Sequence, residues 1–220
     1  MSVRDNIDRL REEVPEEVKI VAVSKFHPID EIMEAYEDGQ ILFGESRVQE
    51  LEEKQPHLPQ DIEWHFIGSL QRNKVRFIAP FVSLIHSLDS ERLMHEIDKR
   101  AAQHNRVISC LLQLHVADEK TKSGFTPYEC REFLAGGNWK KYPNVKIAGV
   151  MGMATYTDNI DQVRSEFKQI KSLFDEFKAE YFKNDNSFSE ISMGMSGDYP
   201  IAIEEGATII RVGTLIFGER

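Results

Sequence analysis

Several things are scarce in this 220-residue sequence. It has only two cysteines, Cys110 in an apolar run and Cys130 in a helical stretch, and neither sits at metal-ligand spacing. That argues against a disulfide scaffold or a zinc module and reads as two buried, reduced thiols. No apolar run approaches the ~20 residues of a membrane span. The first residues, Met1-Ser2-Val3-Arg4-Asp5-Asn6-Ile7-Asp8, are polar and lack an apolar signal core, so a cytoplasmic protein is expected. Basic residues are outnumbered, and the formal net charge of -10 speaks against non-specific nucleic-acid binding. No Gly/Ser linker, low-complexity tract or exact repeat divides the chain, so residues 1–220 are expected to form one domain.

What is present is a strand-then-helix rhythm. Residues 2–13 carry Val3, Ile7 and Leu10 at helical spacing. Strands are expected at 19–25, 41–45, 62–67, 82–87, 107–116, 145–151, 190–195 and 208–217. Helices are expected at 29–38, from Arg47, at 71–79, after Ser90, near 127–134, at 159–182 and at 201–204. Gly39 reads as the residue that ends the second helix, and Ser90 as an N-cap. The aromatic stripe Phe167, Phe174, Phe177 and Tyr181 reads as a core face. Eight strands alternating with helices point to a parallel α/β architecture. A closed (β/α)8 TIM barrel fits the count, although no helix is expected after the eighth strand; helix 2–13 would cover that face. The alternative, an open doubly wound sheet, lacks its G-x-G-x-x-G fingerprint after the first strand.

In such a barrel, functional groups sit at the C-terminal ends of the strands. Ile20-Val21-Ala22-Val23-Ser24-Lys25-Phe26-His27-Pro28 is a β-branched run that ends in a lysine, and Pro28 then stops the ladder. Alone, Lys25 would pass for an ordinary surface lysine. The other strand ends change that reading. They bring Glu45-Ser46, His65 through Gln71, His86-Ser87, His115, Met151 through Thr155, Ser192-Met193-Gly194-Met195-Ser196-Gly197-Asp198 and Arg211-Val212-Gly213-Thr214. Ser196-Gly197 before a short helix, with Gly213 and Thr214, reads as a phosphate cup at the last two strands. Arg211 lies two residues before Gly213 and shares its side of the strand.

A lysine, a phosphate cup and a buried strand arginine together suggest pyridoxal 5′-phosphate (PLP). The lysine would form the Schiff base and the arginine would face the pyridine nitrogen. Such an arginine leaves that nitrogen unprotonated, which favours mild chemistry or none. His27, His65, His86 and His115 invite a metallohydrolase reading, but there is no His-x-His pair and no Asp ends the eighth strand; hydrogen-bonded structural histidines are the simpler reading. Gln71-Arg72-Asn73-Lys74-Val75-Arg76 is too short to read as a nucleic-acid patch in an acidic chain.

These segments resemble the pyridoxal 5′-phosphate homeostasis (YggS/PROSC) family, which is similar to the N-terminal barrel of alanine racemase. The resemblance rests on Val21-Ala22-Val23-Ser24-Lys25, on Phe43 through Glu50 and on Trp64 through Lys74. It continues in Lys122-Ser123-Gly124, Gly149-Val150-Met151, Ser192 through Ser196, Ile210 through Thr214 and Ile216-Phe217-Gly218. It implies PLP bound as an aldimine to Lys25, phosphate contacts near Ser196, Gly213 and Thr214, and Arg211 at the pyridine nitrogen. Ser46, His65 and Met193 complete the expected cofactor-binding set, with no metal. The implied role is holding and supplying PLP, with PLP as ligand and apo PLP-dependent enzymes as candidate partners; a monomer is expected. The alternative is an amino-acid racemase. That needs a second proton-transfer group, which racemases take from a β-rich domain absent here, leaving Tyr156 or Tyr199 as substitutes. Two positions depart from the family: Ser46 stands where Asn is usual and Ser69 where Pro is usual. Ser46 has the shorter reach, and Ser69 loosens a turn that Pro would stiffen.

Overall fold

The structure, a computed structural model, describes residues 2–117 and 123–219. Eight strands pair in parallel and in chain order: β1 (Lys19–Val23), β2 (Leu42–Glu45), β3 (Glu63–Phe66), β4 (Leu84–Leu88), β5 (Ile108–Leu114), β6 (Val145–Gly152), β7 (Glu190–Ser192) and β8 (Ile209–Val212). β8 returns to pair with β1, so the sheet closes into a barrel. The (β/α)8 architecture expected from the alternation is the one observed.

The strands read as short apolar runs because both faces are covered. Alternate residues point inward, where Val21, Leu84, Leu111, Ala148, Met151 and Ile209 form a small cluster with Leu42 packed on it. The larger core lies outside the strands, under the helices. These are α1 (Val3–Glu13), α2 (Ile29–Glu37), α3 (Val48–Lys54), α4 (Val75–Ile78), α5 (Glu91–Gln103), α6 (Pro127–Gly136), α7 (Ile160–Glu180), α8 (Tyr199–Glu204) and α9 (Thr214–Phe217). Ser2 and Asp5 form a reciprocal capping box at the start of α1, which satisfies two otherwise orphaned amides. Ser90 caps α5 as expected. On α7, Val163, Phe167, Ile170, Leu173 and Phe177 are buried at helical spacing, so the aromatic stripe is core.

The C-terminal part differs from the expectation. Residues 208–217 are not one strand: β8 ends at Val212, and the one-turn helix α9 follows it. The apolar run Thr214-Leu215-Ile216-Phe217 fits either period over so few residues, and Gly213 is where the chain changes course. α1 still covers this region, since Asn6 Nδ2 donates to the Ile216 carbonyl at 2.9 Å. β7 is also shorter than expected, ending at Ser192. Part of the loop expected over 117–124, including Lys122, lies outside the described residues. Both cysteines are buried and unbridged, and burial pushes the Cys130 thiol up to about 12.

Candidate functional site at the C-terminal mouth

Lys25 begins the turn that leaves β1 and is half-buried. The residues on either side of it are tied down. Ser24 Oγ donates to Glu45 Oε1 at 2.8 Å, and the Ser24 carbonyl accepts from Lys54 Nζ at 2.8 Å. The Phe26 amide donates to Glu50 Oε1. Phe26 takes a left-handed φ of 69°, which costs a non-glycine residue energy unless its surroundings hold it there. The Arg47 guanidinium lies 4.5 Å from its ring centroid.

Behind this turn, Lys54 Nζ reaches Glu45 Oε1 at 2.8 Å and Glu50 Oε1 at 2.6 Å. Glu45 is fully buried, and its Oε2 has no partner among the described residues. Burial pushes the Glu45 carboxyl above its ordinary range, opposed by Lys54. The βα turn carrying Lys25 is thus pinned by a buried ion cluster between β2 and α3.

β8 brings the remaining groups. Its register with β1 sets Arg211 opposite Val21 and Val212 opposite Ala22. Gly213 then passes so close to β1 that a Cβ there would lie 3.1 Å from the Val23 carbonyl oxygen, so only glycine fits without displacement. Thr214 opens α9, and the first amides of a helix have no intrahelical acceptor. Across the β7–β8 junction, the Arg211 amide donates to the Gly194 carbonyl at 3.0 Å. The loop beyond it carries Ser196 and Gly197 into α8. Met195 N is held by Asp198 Oδ1 at 2.6 Å.

Arg211 is 5 % exposed and points into the barrel. Its Nη1 donates to Ser192 Oγ at 2.6 Å and its Nη2 to the Gly152 carbonyl at 3.2 Å. Both partners are neutral. Burial brings the guanidinium down to about 10, with Asp198 acting the other way, so it remains a cation at neutral pH. From Ser192 the polar contacts continue through the interior: Ser192 Oγ to His86 Nδ1 at 2.9 Å, and His86 Nε2 to His65 Nδ1 at 3.0 Å. Burial holds His65 down at about 3 and His86 well below its ordinary value, so both rings are neutral.

The structure therefore gathers Lys25, Ser196, Arg211, Gly213 and Thr214 at the ends of β1, β7 and β8. Ser46 lies at the same rim, where its loop meets the next one: a Cβ on Gly68 would come within 2.2 Å of the Ser46 carbonyl oxygen. Two other expected residues are placed elsewhere. The Met193 side chain packs in the outer core. His65 lines the opposite, N-terminal mouth. Tyr199 donates its hydroxyl to Glu13 of α1 at 2.6 Å, and Tyr156 is 98 % exposed. Lys54 and Ser192 were missed as functional supports. The one signal for Lys54 was a lysine four residues after Glu50 on α3; nothing in the sequence paired His86 with Ser192. His27 is accounted for by Glu31 at 2.8 Å and by stacking on Phe217. Among the described residues, no cluster of acidic, histidine or cysteine side chains could hold a metal.

Comparison with known proteins places this barrel. The model of the alanine racemase N-terminal domain matches residues 1–220. The chain belongs to that family. Within the alanine racemase N-terminal domain family, it is 44 % identical to the pyridoxal phosphate homeostasis protein of Aquifex aeolicus over 203 residues, covering 92 % of this chain and 87 % of that one. Among solved structures it superposes on PipY of Synechococcus elongatus with a TM-score of 0.92 without PLP and 0.88 with PLP bound. Identity is 36 %, and 99 % of this chain and 100 % of that one are covered. An alanine racemase of Clostridium difficile shares the fold at a TM-score of 0.79 and 12 % identity, but this chain spans only 57 % of it.

Proposed function

We propose that this protein binds pyridoxal 5′-phosphate at the C-terminal mouth, with Lys25 as its covalent anchor, and serves to hold and supply the cofactor. The observation that carries the reading is Arg211: a buried cation bonded, among the described residues, only to neutral oxygens, on the strand that leads to the Gly213 shelf beside β1. A guanidinium has five N–H donors, and these two bonds leave others for a ring nitrogen. The donor set suits the group. An amine meets an aldehyde, the Ser196 hydroxyl and the amides near Gly197, Gly213 and Thr214 meet a phosphate, and a guanidinium meets a pyridine nitrogen. The homeostasis proteins among its relatives and the PLP-bound PipY structure support the same reading.

When bound, the cofactor supplies an electrophilic carbon conjugated to an electron-withdrawing ring. The protein's own groups restrain that chemistry. Arg211, already a cation with donors to spare, would hold a pyridine nitrogen as a hydrogen-bond acceptor and so keep it unprotonated, which would weaken the electron sink. Ser46 at the rim would offer a hydroxyl of shorter reach than an asparagine amide. Met193 reaches the site through its backbone, which joins Ser192 to Gly194. Lys25 lies half-buried in the turn described above, whose backbone is held at Ser24 and Phe26 on either side of it. Neither tyrosine considered for a second proton transfer is poised for it, because the Tyr199 hydroxyl is engaged by Glu13 and Tyr156 stands in solvent. The protein acts in the cytosol as a monomer, and apo PLP-dependent enzymes are its recipients.

Borohydride reduction after incubation with PLP, followed by peptide mass mapping, tests this directly. A pyridoxyl group on Lys25, lost in Lys25→Ala, is expected. Label on another lysine, or none, overturns it.

A further inference from the structure

The line of polar contacts from Arg211 through the barrel has a direction that donor counting decides. Arg211 Nη1 can only donate, so Ser192 Oγ accepts from it at 2.6 Å. Ser192 is fully buried, and its own hydroxyl hydrogen has one acceptor among the described residues, His86 Nδ1 at 2.9 Å. His86 therefore carries its proton on Nε2 and donates to His65 Nδ1 at 3.0 Å. His65 in turn carries its proton on Nε2. The reverse polarity would leave the Ser192 hydroxyl hydrogen without a partner in a buried site, which is costly.

The far end of this line is not closed. His65 is 4 % exposed, and its ring lines a cavity of about 660 Å³ at the N-terminal mouth, with Lys19, Glu63, Lys146 and Glu190 around it. No protein group bonds its Nε2 among the described residues. Lys19 and Glu190 are bonded to each other at 2.6 Å, and burial together with the Lys19 ammonium disfavours the charged form of His65. The line thus runs from the guanidinium at one mouth to solvent at the other, through two neutral rings and a hydroxyl.

We infer that Ser192, His86 and His65 are positioning residues that fix the Arg211 guanidinium for the cofactor ring, and that the N-terminal mouth is coupled through them to cofactor retention. This rests on the PLP reading above. The Ser192 hydroxyl holds Nη1 only while its own hydrogen is committed to His86. His86 keeps that tautomer because His65 accepts from its Nε2. Removing the acceptor at His65 frees His86 to turn or change tautomer, and Arg211 loses its fixed partner.

Nitrogen-15 NMR of the imidazoles in cofactor-free protein reads the first half, with both rings expected as Nε2–H tautomers. The second half is read from release of PLP by the loaded protein into excess apo-enzyme and from the visible band of the bound cofactor. His65→Phe is expected to speed release about tenfold and shift the band, with Lys25 still the labelled residue. His65→Gln, whose amide oxygen can accept from His86, is expected to return release to within threefold of the parent. An Nδ1–H tautomer at His86 overturns the inference, as does release within twofold of the parent in His65→Phe. If the parent takes no label at Lys25, the PLP reading itself has failed, and the tautomers, measured without cofactor, stand apart from that outcome.

Discussion

Two buried cations lie behind the same barrel mouth, and they are treated oppositely. Lys54 sits between β2 and α3 with two carboxylates and a carbonyl around its ammonium. Arg211 sits inside the barrel with a hydroxyl and a carbonyl and, among the described residues, no carboxylate bond. A charge surrounded by opposite charge is committed to the fold, and removing it strands its partners. A charge given only neutral partners keeps donors and electrostatic potential in reserve for a ligand. On the proposed reading, the difference separates a structural cluster, which holds the backbone of the Lys25 turn, from a group that receives the ligand.

That contrast can be broken most sharply at Lys54. Lys54→Met leaves Glu45 buried and unpaired and should cost about 3–5 kcal/mol, read from the denaturant midpoint. Adding Glu45→Gln should recover much of it, and equal loss in single and double variants would sink the pairing account. Acid probes the other region. His65 is held near 3 in the folded protein against an ordinary value of about 6.5, so the unfolded chain binds more protons in between. Stability is therefore full above about pH 6.5 and falls as pH drops towards 3. The loss should be on the order of 3 kcal/mol from pH 7 to pH 4, and His65→Gln should flatten the profile; an unchanged slope in that variant would assign the acid sensitivity elsewhere. Arg211→Gln should reverse the Lys54 pattern, with stability changed by less than about 1 kcal/mol and PLP affinity weakened about 10- to 100-fold. A variant that loses several kcal/mol of stability yet binds PLP as tightly as the parent would put Arg211 in the structural class. Ser2→Ala sets the scale away from both regions. Loss of the capping box should cost about 1 kcal/mol and leave cofactor release unchanged.

Much of this was legible before any coordinates, and for identifiable reasons. Buried parallel strands announce themselves as β-branched runs, and the lysine that ends the first of them marked the mouth. Gly39 ends α2 with a φ of 87°, as its position after the apolar stripe implied. The strand arginine and Gly213 were placed on one side by period two alone. What stayed hidden depends on contacts between distant strands. Whether His65 faces the cofactor or the far mouth is set by its height in the barrel and by His86, 21 residues on. Met193 lies in the right segment, but its parity turns it into the outer core. The ion cluster around Lys54 joins three segments whose charges, read singly, look like ordinary helix surface.

Barrel closure has a consequence in time. β1 finds its last neighbour only in Ile209–Val212, and the Gly213 shelf rests on the Val23 backbone. On the reading proposed above, a nascent chain still missing β8 carries Lys25 without the Arg211 and Gly213 side of its seat. On that reading, loading waits until synthesis has passed that strand.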